Sequence, residues 1–528
     1  MRRRALLRLA GLGAGLGSAS ALASGGPGRA GAQEGGGEFA PLGSLAVPGT
    51  KEGVVGPEGR YAFLAVTDGF AVVDLADPAS PELVFENRSP LSGRENGPLR
   101  MVYDVKHDPG SDLLAVVGPA NPVGGDAFNG LVTYDVSDPT APSRVAVHET
   151  PFFNHNCDVE AGVVYLCGND GQRNALVAVD GETGERLGSW SVVSVDERWS
   201  RVRFGNWVLH DLSVSDGIAY LAHWDAGTWM VDVSDPTDPS LLGRVRGRGP
   251  EVFLDMADDV ARRENLEPPG NDHFAARGPG DVLGISVESW ASEGSDSESR
   301  GGAGSVHLYD VSDPTGTSQL AELEPPPTED ATYGGTWTTS HNFEFDGDLL
   351  FTSWYGGGVK VHDVSDPEAP VELAHWRDES RAWFWTAQAA TPEFFVATSL
   401  GSGVSDTQGR SEDAGVYTFP VVESAGTPSP TPTSAPSPTP EGSGSPPSTT
   451  TPVATPDPTP TATPEPTDTR TPSPTATGTE TPTATDTETA SDPGTTTGEA
   501  PGFGAGVGAL GLGLGLRRYL QDPGEDED

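Results

Sequence analysis

Val231-Asp232-Val233-Ser234-Asp235-Pro236 is a phrase this chain repeats. Tyr134-Asp135-Val136-Ser137-Asp138-Pro139, Tyr309-Asp310-Val311-Ser312-Asp313-Pro314 and His362-Asp363-Val364-Ser365-Asp366-Pro367 are close copies. Val73-Asp74-Leu75-Ala76-Asp77-Pro78 is a degenerate one, and Val179-Asp180-Gly181-Glu182-Thr183-Gly184 stands where another belongs, with a different turn. Each copy ends a β-prone run. The Asp before Pro accepts from backbone two residues on, and the Pro fixes φ for the turn. Recurrence of one strand-and-turn unit marks a repeat architecture.

Working outward from residues 231–236, each unit reads the same way. A first strand leads to a tight turn, Ser215-Asp216-Gly217; a second strand covers 218–223. A Gly-bearing loop leads to a third strand at 228–233, then the Ser-Asp-Pro turn, then a fourth strand at 241–245. Four antiparallel strands per unit predict a β-propeller blade. The fold class is therefore all-β. Seven blades are expected over 39–423, beginning near Glu52, Val102, His155, Val208, His273, His341 and Trp385. The last lacks a fourth strand. Residues 41–47 match the fourth-strand text and are expected to supply it, closing the ring from the N-terminal side and leaving few open edges. The only helix expected is a short one at 256–265, in an insertion at 249–271 that either caps the channel or lies on the surface.

Third-strand texts such as Gly69-Phe70-Ala71-Val72-Val73-Asp74, Gly130-Leu131-Val132-Thr133-Tyr134-Asp135 and Gly358-Val359-Lys360-Val361-His362-Asp363 resemble the LVIVD repeat family of extracellular β-propellers. The resemblance implies an exported propeller and names no activity.

The flanks differ in kind. Residues 1–32 read as an export signal: Arg3-Arg4-Ala5-Leu6-Leu7-Arg8 resembles the twin-arginine motif, a mildly apolar run follows, and Ala30-Gly31-Ala32 is a cleavage-like site. Residues 424–500 are rich in Pro, Thr and Ser, a composition that builds no core and predicts a disordered stalk. Residues 501–528 open with Pro501-Gly502-Phe503 and continue through a Gly-rich apolar run to Arg517-Arg518. They resemble the PGF-CTERM sorting signal of haloarchaeal surface proteins, recognised by an archaeosortase. The resemblance implies a lipid anchor and a cell-surface location, with the membrane reached through the C-terminus. The other reading is a free secreted tail.

A formal net charge of -46 excludes nucleic acid as a natural partner, because a polyanion is held by clustered Lys and Arg. Carboxylates spread along the chain resemble proteins of salt-loving archaea. An envelope protein or a glycan is the expected partner, and the chain is expected to be a monomer. Asn87-Arg88-Ser89 is an N-glycosylation sequon, placing Asn87 on a surface loop.

Stacking the units aligns four histidines. His155, His210, His273 and His341 each lie ten residues before a second-strand residue: Tyr165, Tyr220, Leu283 and Phe351. Asp104 lies at a comparable place before Leu114. First strands line a propeller's channel, so these positions face one axis. Two readings stand. Each His can bond the backbone of a neighbouring blade as a structural repeat residue. Alternatively the four, with Asp104, ring one transition-metal ion (Cu, Zn or Fe), which neutral imidazole suits. The second reading admits an oxidoreductase-like metalloenzyme. Cys157 and Cys167 flank a turn in blade three and are expected to form a cross-strand disulfide, to be free buried thiols, or to join His155 at a metal. His223-Trp224 and Trp354-Tyr355 follow second strands and predict core packing or an aromatic rim, and Trp383-Phe384-Trp385 a seam between blades six and seven.

Overall fold

The computed structural model describes residues 39–108, 110–292, 300–403 and 411–422. The export signal, the stalk and the sorting tail lie outside these residues.

Seven four-stranded antiparallel sheets follow one another, with a two-stranded hairpin (Ala291–Ser292 with Arg300–Gly301) beside the fifth. Their first strands are Gly53–Val55, Asp104–Asp108, Cys157–Glu160, Asp211–Ser215, Asp272–Arg277, Phe343–Asp346 and Phe384–Thr391. The chain is a seven-bladed β-propeller. In the seventh sheet Gly43–Ala46 pairs antiparallel with Gly415–Pro420, so this blade joins strands from both ends of the described domain.

The repeated phrase folds as its chemistry dictates. In blade four Asp232 Oδ1 accepts from the Ser234 amide at 2.9 Å, and Asp235 Oδ1 from the Thr237 amide at 3.0 Å. The same pair of Asx turns recurs in blades one, two, five and six. In blade three Asp180 takes the Glu182 and Thr183 amides instead. Each turn also docks on the preceding blade. A Cβ added at Gly243 would lie 1.9 Å from the Pro314 carbonyl oxygen of blade five, and one at Gly188 would lie 2.2 Å from that of Pro236. Glycine in these fourth strands lets the next blade's turn approach the backbone.

Between blades the core is Val, Leu, Ala and Phe. Phe70 meets Tyr134 across blades one and two at 4.7 Å, and Phe274 meets Phe343 across five and six at 5.1 Å. The expected helix forms over Asp258–Glu264. Its insertion packs inward: Asn206 Nδ2 donates to the Ala261 carbonyl, and Asn271 Nδ2 to the Glu288 carbonyl at 2.9 Å. No helix among the described residues is long and apolar enough to cross a membrane. Asn87 ends a strand rather than sitting in a loop, and its Oδ1 accepts from the Ser89 amide.

Of the readings open for the cysteines, the structure has free buried thiols and not the disulfide. Both are free and buried. Cys157 stands opposite Leu166, one residue short of Cys167. Side chains alternate along a strand, so that offset sends the two thiols to opposite faces. Cys157 packs with Val159 and Val177, while Cys167 packs with Tyr165 and Leu176 in a separate cluster. Neither joins His155 at a cavity.

Candidate metal centre

Register fixes which residues share a level. Asp104 pairs Val117, Asp211 pairs Ala222 and Thr386 pairs Thr398, each near the end of its blade's second strand. The residue before each of these is Tyr103, His210 or Trp385. The same step in the other blades selects Lys51, His155, His273 and His341, with His273 carried on a bulge between Asp272 and Phe274. Every blade thus contributes one residue to a single ring. Ring centroids separate His155 and His210 by 4.7 Å, His210 and His273 by 4.2 Å, His273 and His341 by 4.2 Å, and His341 and Trp385 by 4.2 Å. Tyr103 lies 6.2 Å from Trp385 and 6.3 Å from His155, with Lys51 Nζ 5.5 Å from its centroid.

The four histidines are buried and come together as predicted. Their hydrogen bonds join the two readings of them, one on each nitrogen. His155 Nδ1 meets the Ala120 carbonyl at 2.7 Å, His341 Nδ1 that of Trp385 at 2.6 Å, and His210 Nδ1 that of His273 at 3.3 Å. All three acceptors belong to neighbouring blades. A carbonyl only accepts, so Nδ1 carries the proton and Nε2 keeps its lone pair. This is how metal-ligating imidazoles are oriented. His210 Nε2 is buried with no hydrogen bond among the described residues. Burial holds all four pKa values below the ordinary imidazole value, and neighbouring imidazoles push those of His210, His273 and His341 lower still. The rings are neutral at neutral pH.

Glu288 completes the set, and the repeats did not single it out. His210, His273 and Glu288 each offer a ligand atom, all within 4.8 Å of one another. Glu288 Oε2 lies 3.8 Å from His273 Nε2 and makes no hydrogen bond, while Oε1 accepts from the Tyr355 hydroxyl at 2.5 Å. Burial pushes the Glu288 carboxyl up to about 8. Glu288 follows its blade's second strand, at the place Trp224 and Tyr355 take in blades four and six. Trp224 and Tyr355 are left-handed (φ 49° and 46°), and each is pinned by a bridge to the next blade's first strand. That pinning sustains the strained backbone and aims the side chains inward. Recognising the exits of second strands as a set would have found Glu288. Tyr103, Asn121, Trp337, Tyr355 and Trp385 line the same cavity of about 20 Å³, room for a water or an ion.

Asp104 is the exception. It is buried but one step along its strand from the ring, where Tyr103 stands. Its Oδ2 accepts from the Cys157 amide at 2.7 Å, and its Oδ1 pairs with Lys106. It belongs to a second layer, beside the ring and not in it. There Asn342 Nδ2 bridges Glu52 and Asp211 at 3.3 Å each, and Lys106 Nζ lies 3.9 Å from Glu52. Burial pushes Glu52 up to about 8 and Asp211 well above the carboxylate range. Burial disfavours charge on Lys106 too, but Asp104, Glu52 and Asp211 outweigh it and keep the ammonium protonated. The ten-residue count placed Asp104 with the histidines because the turn between Asp108 and Leu113 holds four residues where those of blades three, four and six hold two. His223 is buried behind blade four, its Nδ1 on the Trp207 carbonyl, away from the cavity.

A family model for the LVIVD repeat matches residues 56–87, 125–150 and 209–246, in blades one, two and four. A search of curated proteins finds no sequence relative. Among solved structures, one titled "Structure of U3-55K" is similar at TM-score 0.48 and 10% identity, covering 73% of this chain and 98% of that one. The Cps50 (Swd1) β-propeller domain of Myceliophteria thermophila is similar at 0.48 and 7% identity, covering 73% and 100%. The computationally designed Ika8 protein follows at 0.42 and 11%, covering 72% and 99%. The chain is a β-propeller carrying LVIVD repeats, an architecture that fits a binding or interaction module.

Proposed function

We propose that this is a cell-surface propeller of a halophilic archaeal envelope that binds one transition-metal ion at the ring of its channel. The observation that carries the metal reading is the division of labour on the imidazoles. Nδ1 is spent on neighbouring backbone in His155, His210 and His341, which leaves Nε2 free to ligate. Two imidazoles with one carboxylate, His210, His273 and Glu288, form the donor set that favours non-haem Fe(II), and the additional His155 and His341 would also serve Cu or Zn. The ion would offset the charge that burial now disfavours on Glu288.

The export signal at 1–32, the stalk at 424–500 and the anchor at 501–528 support a location outside the cell, held to the membrane by the C-terminus. The rigid ring and variable loops support docking of an envelope protein or glycan. An oxidoreductase is the second reading. It is favoured by a cavity that continues past the ligands to Asn121, Trp337 and Tyr355.

The test is metal content. Stripped protein is reconstituted separately with Fe(II), Cu(II) and Zn(II), desalted and analysed for bound ion. One ion per chain is expected, lost in His210→Ala. Trace content with every ion removes the metal reading and leaves an interaction module.

A further inference from the structure

Three of the four histidines are oriented by a bond on the imidazole, and His273 is not. His155, His210 and His341 each spend Nδ1 on a carbonyl of a neighbouring blade. His273 Nδ1 is buried with no hydrogen bond among the described residues. The strand ladder does not fix it either, because the register shifts between Asp272 and Phe274 and leaves His273 on a bulge. Even so, His273 Nε2 lies 3.8 Å from Glu288 Oε2, within the donor set. Packing against His210 and His341 confines the imidazole from two sides. The rest of its placement comes from the main chain before it.

That main chain is held at two successive residues. Asp272 is tied to blade four. Its amide donates to the Trp224 carbonyl at 3.2 Å, and its carboxylate takes the Thr228 hydroxyl at 2.7 Å and the Arg246 guanidinium at 3.2 Å. Asn271 is tied to Glu288. The Glu288 amide donates to the Asn271 carbonyl at 3.0 Å, and Asn271 Nδ2 donates back to the Glu288 carbonyl at 2.9 Å. The other proton of Nδ2 goes to the Asn265 carbonyl at 2.9 Å, which also accepts from Trp224 Nε1 at 3.1 Å. Asn271 is fully buried and left-handed, with φ 64°, a conformation that asparagine tolerates better than most side chains.

We propose that Asn271 is the positioning residue of the donor set, holding Glu288 and His273 at the separation one ion requires. The proposal rests on the metal reading. One side chain bears on all three ligands. It clasps the main chain of Glu288 directly. It anchors the start of the bulge that carries His273. The His273 carbonyl accepts from His210 Nδ1, so the same anchor reaches the orientation of His210. Asn206 provides the contrast. It also holds the insertion, through Nδ2 bonds to Asp225 Oδ2 at 2.8 Å and the Ala261 carbonyl at 3.1 Å, but neither partner is a ligand.

The test compares Asn271→Gly, which keeps the left-handed backbone and removes both side-chain bonds, with Asn206→Ala. Each full chain is stripped of metal, and its folding is checked by circular dichroism. Zn(II) affinity is measured by competition with a chelating dye, and the visible absorption of the Co(II) form reports ligand geometry. Asn271→Gly should weaken Zn(II) binding by about tenfold or more, the loss typical of residues that orient metal ligands, and should change the Co(II) bands. Asn206→Ala should lower the melting temperature and keep the parent affinity and bands. Asn271→Ser, which restores one donor, should recover part of the affinity, and it carries the comparison with the parent if the Gly variant does not fold. Parent affinity and bands in the Asn271 variant overturn the positioning role while the metal reading stands. So does an equal loss in Asn206→Ala. A parent protein that takes up neither ion overturns the metal reading and the positioning role with it.

Discussion

Blades three to six and blades seven, one and two occupy the same ring with different side chains. The first arc places His155, His210, His273 and His341 there, and the second places Trp385, Lys51 and Tyr103. Backbone position is common to both, since each residue precedes an equivalent pair at the inner end of its blade. The first arc offers lone pairs in a dry setting. The second offers aromatic walls and a buried lysine, which close the ring. Symmetry of the fold therefore supplies the geometry, and departure from that symmetry supplies the chemistry. Glu288 makes the point again: its blade places a carboxylate where blades four and six place Trp224 and Tyr355.

The largest expected effect separates the arcs by metal content. A chain carrying His210→Ala and Glu288→Gln should retain only trace metal after reconstitution. Asp104→Asn, in the second layer, should keep the parent stoichiometry. If Asp104→Asn loses the ion as well, the division between ring and second layer is wrong.

Lys106→Met tests the opposite arc. It leaves Asp104, buried and ion-paired with that ammonium, without its partner. Removing one partner of such a pair costs about 3–5 kcal/mol. Urea unfolding of the metal-free protein should register that loss, and an unchanged midpoint would mean that the pair adds nothing to the stability of the fold.

Glu344 sits at the seam of the arcs, on blade six, accepting from the Ala389 amide of blade seven at 2.7 Å. Burial pushes its carboxyl up to about 7 from the ordinary 4.5. With a folded pKa above the unfolded one, its contribution is full below about 4.5 and lost as pH rises through about 7. Glu344→Gln should therefore gain on the parent in thermal stability between pH 5 and pH 8. A difference independent of pH contradicts the raised pKa.

The smallest expected effect is none. Dithiothreitol should leave the melting temperature unchanged, because Cys157 and Cys167 face opposite sides of their sheet. A fall on reduction would restore the bridge.

Most of the fold was legible in the sequence because a repeat states its local rules several times. The Asp-Pro turns, the strand alternation and the Gly of the fourth strands are short-range devices, and each copy confirms the others. Much of the site was legible for the same reason, since four histidines recur at one offset. Glu288 was not, because its blade departs from the residue type its neighbours use. Tyr103 was displaced in favour of Asp104 because a count along the chain does not register a turn longer by two residues. Whether Cys157 and Cys167 are bridged or are free buried thiols was left open by the sequence, because a one-residue slip in pairing reverses the face.

The sequence by itself determined a repeating four-stranded unit, its turns, and a strongly acidic chain. It also determined that four units begin with an imidazole. Only the tertiary structure decided which nitrogen of each faces the cavity and which carboxylate joins them. Those outcomes depend on contacts between blades, where residues distant in the chain meet through register and packing that local sequence does not encode.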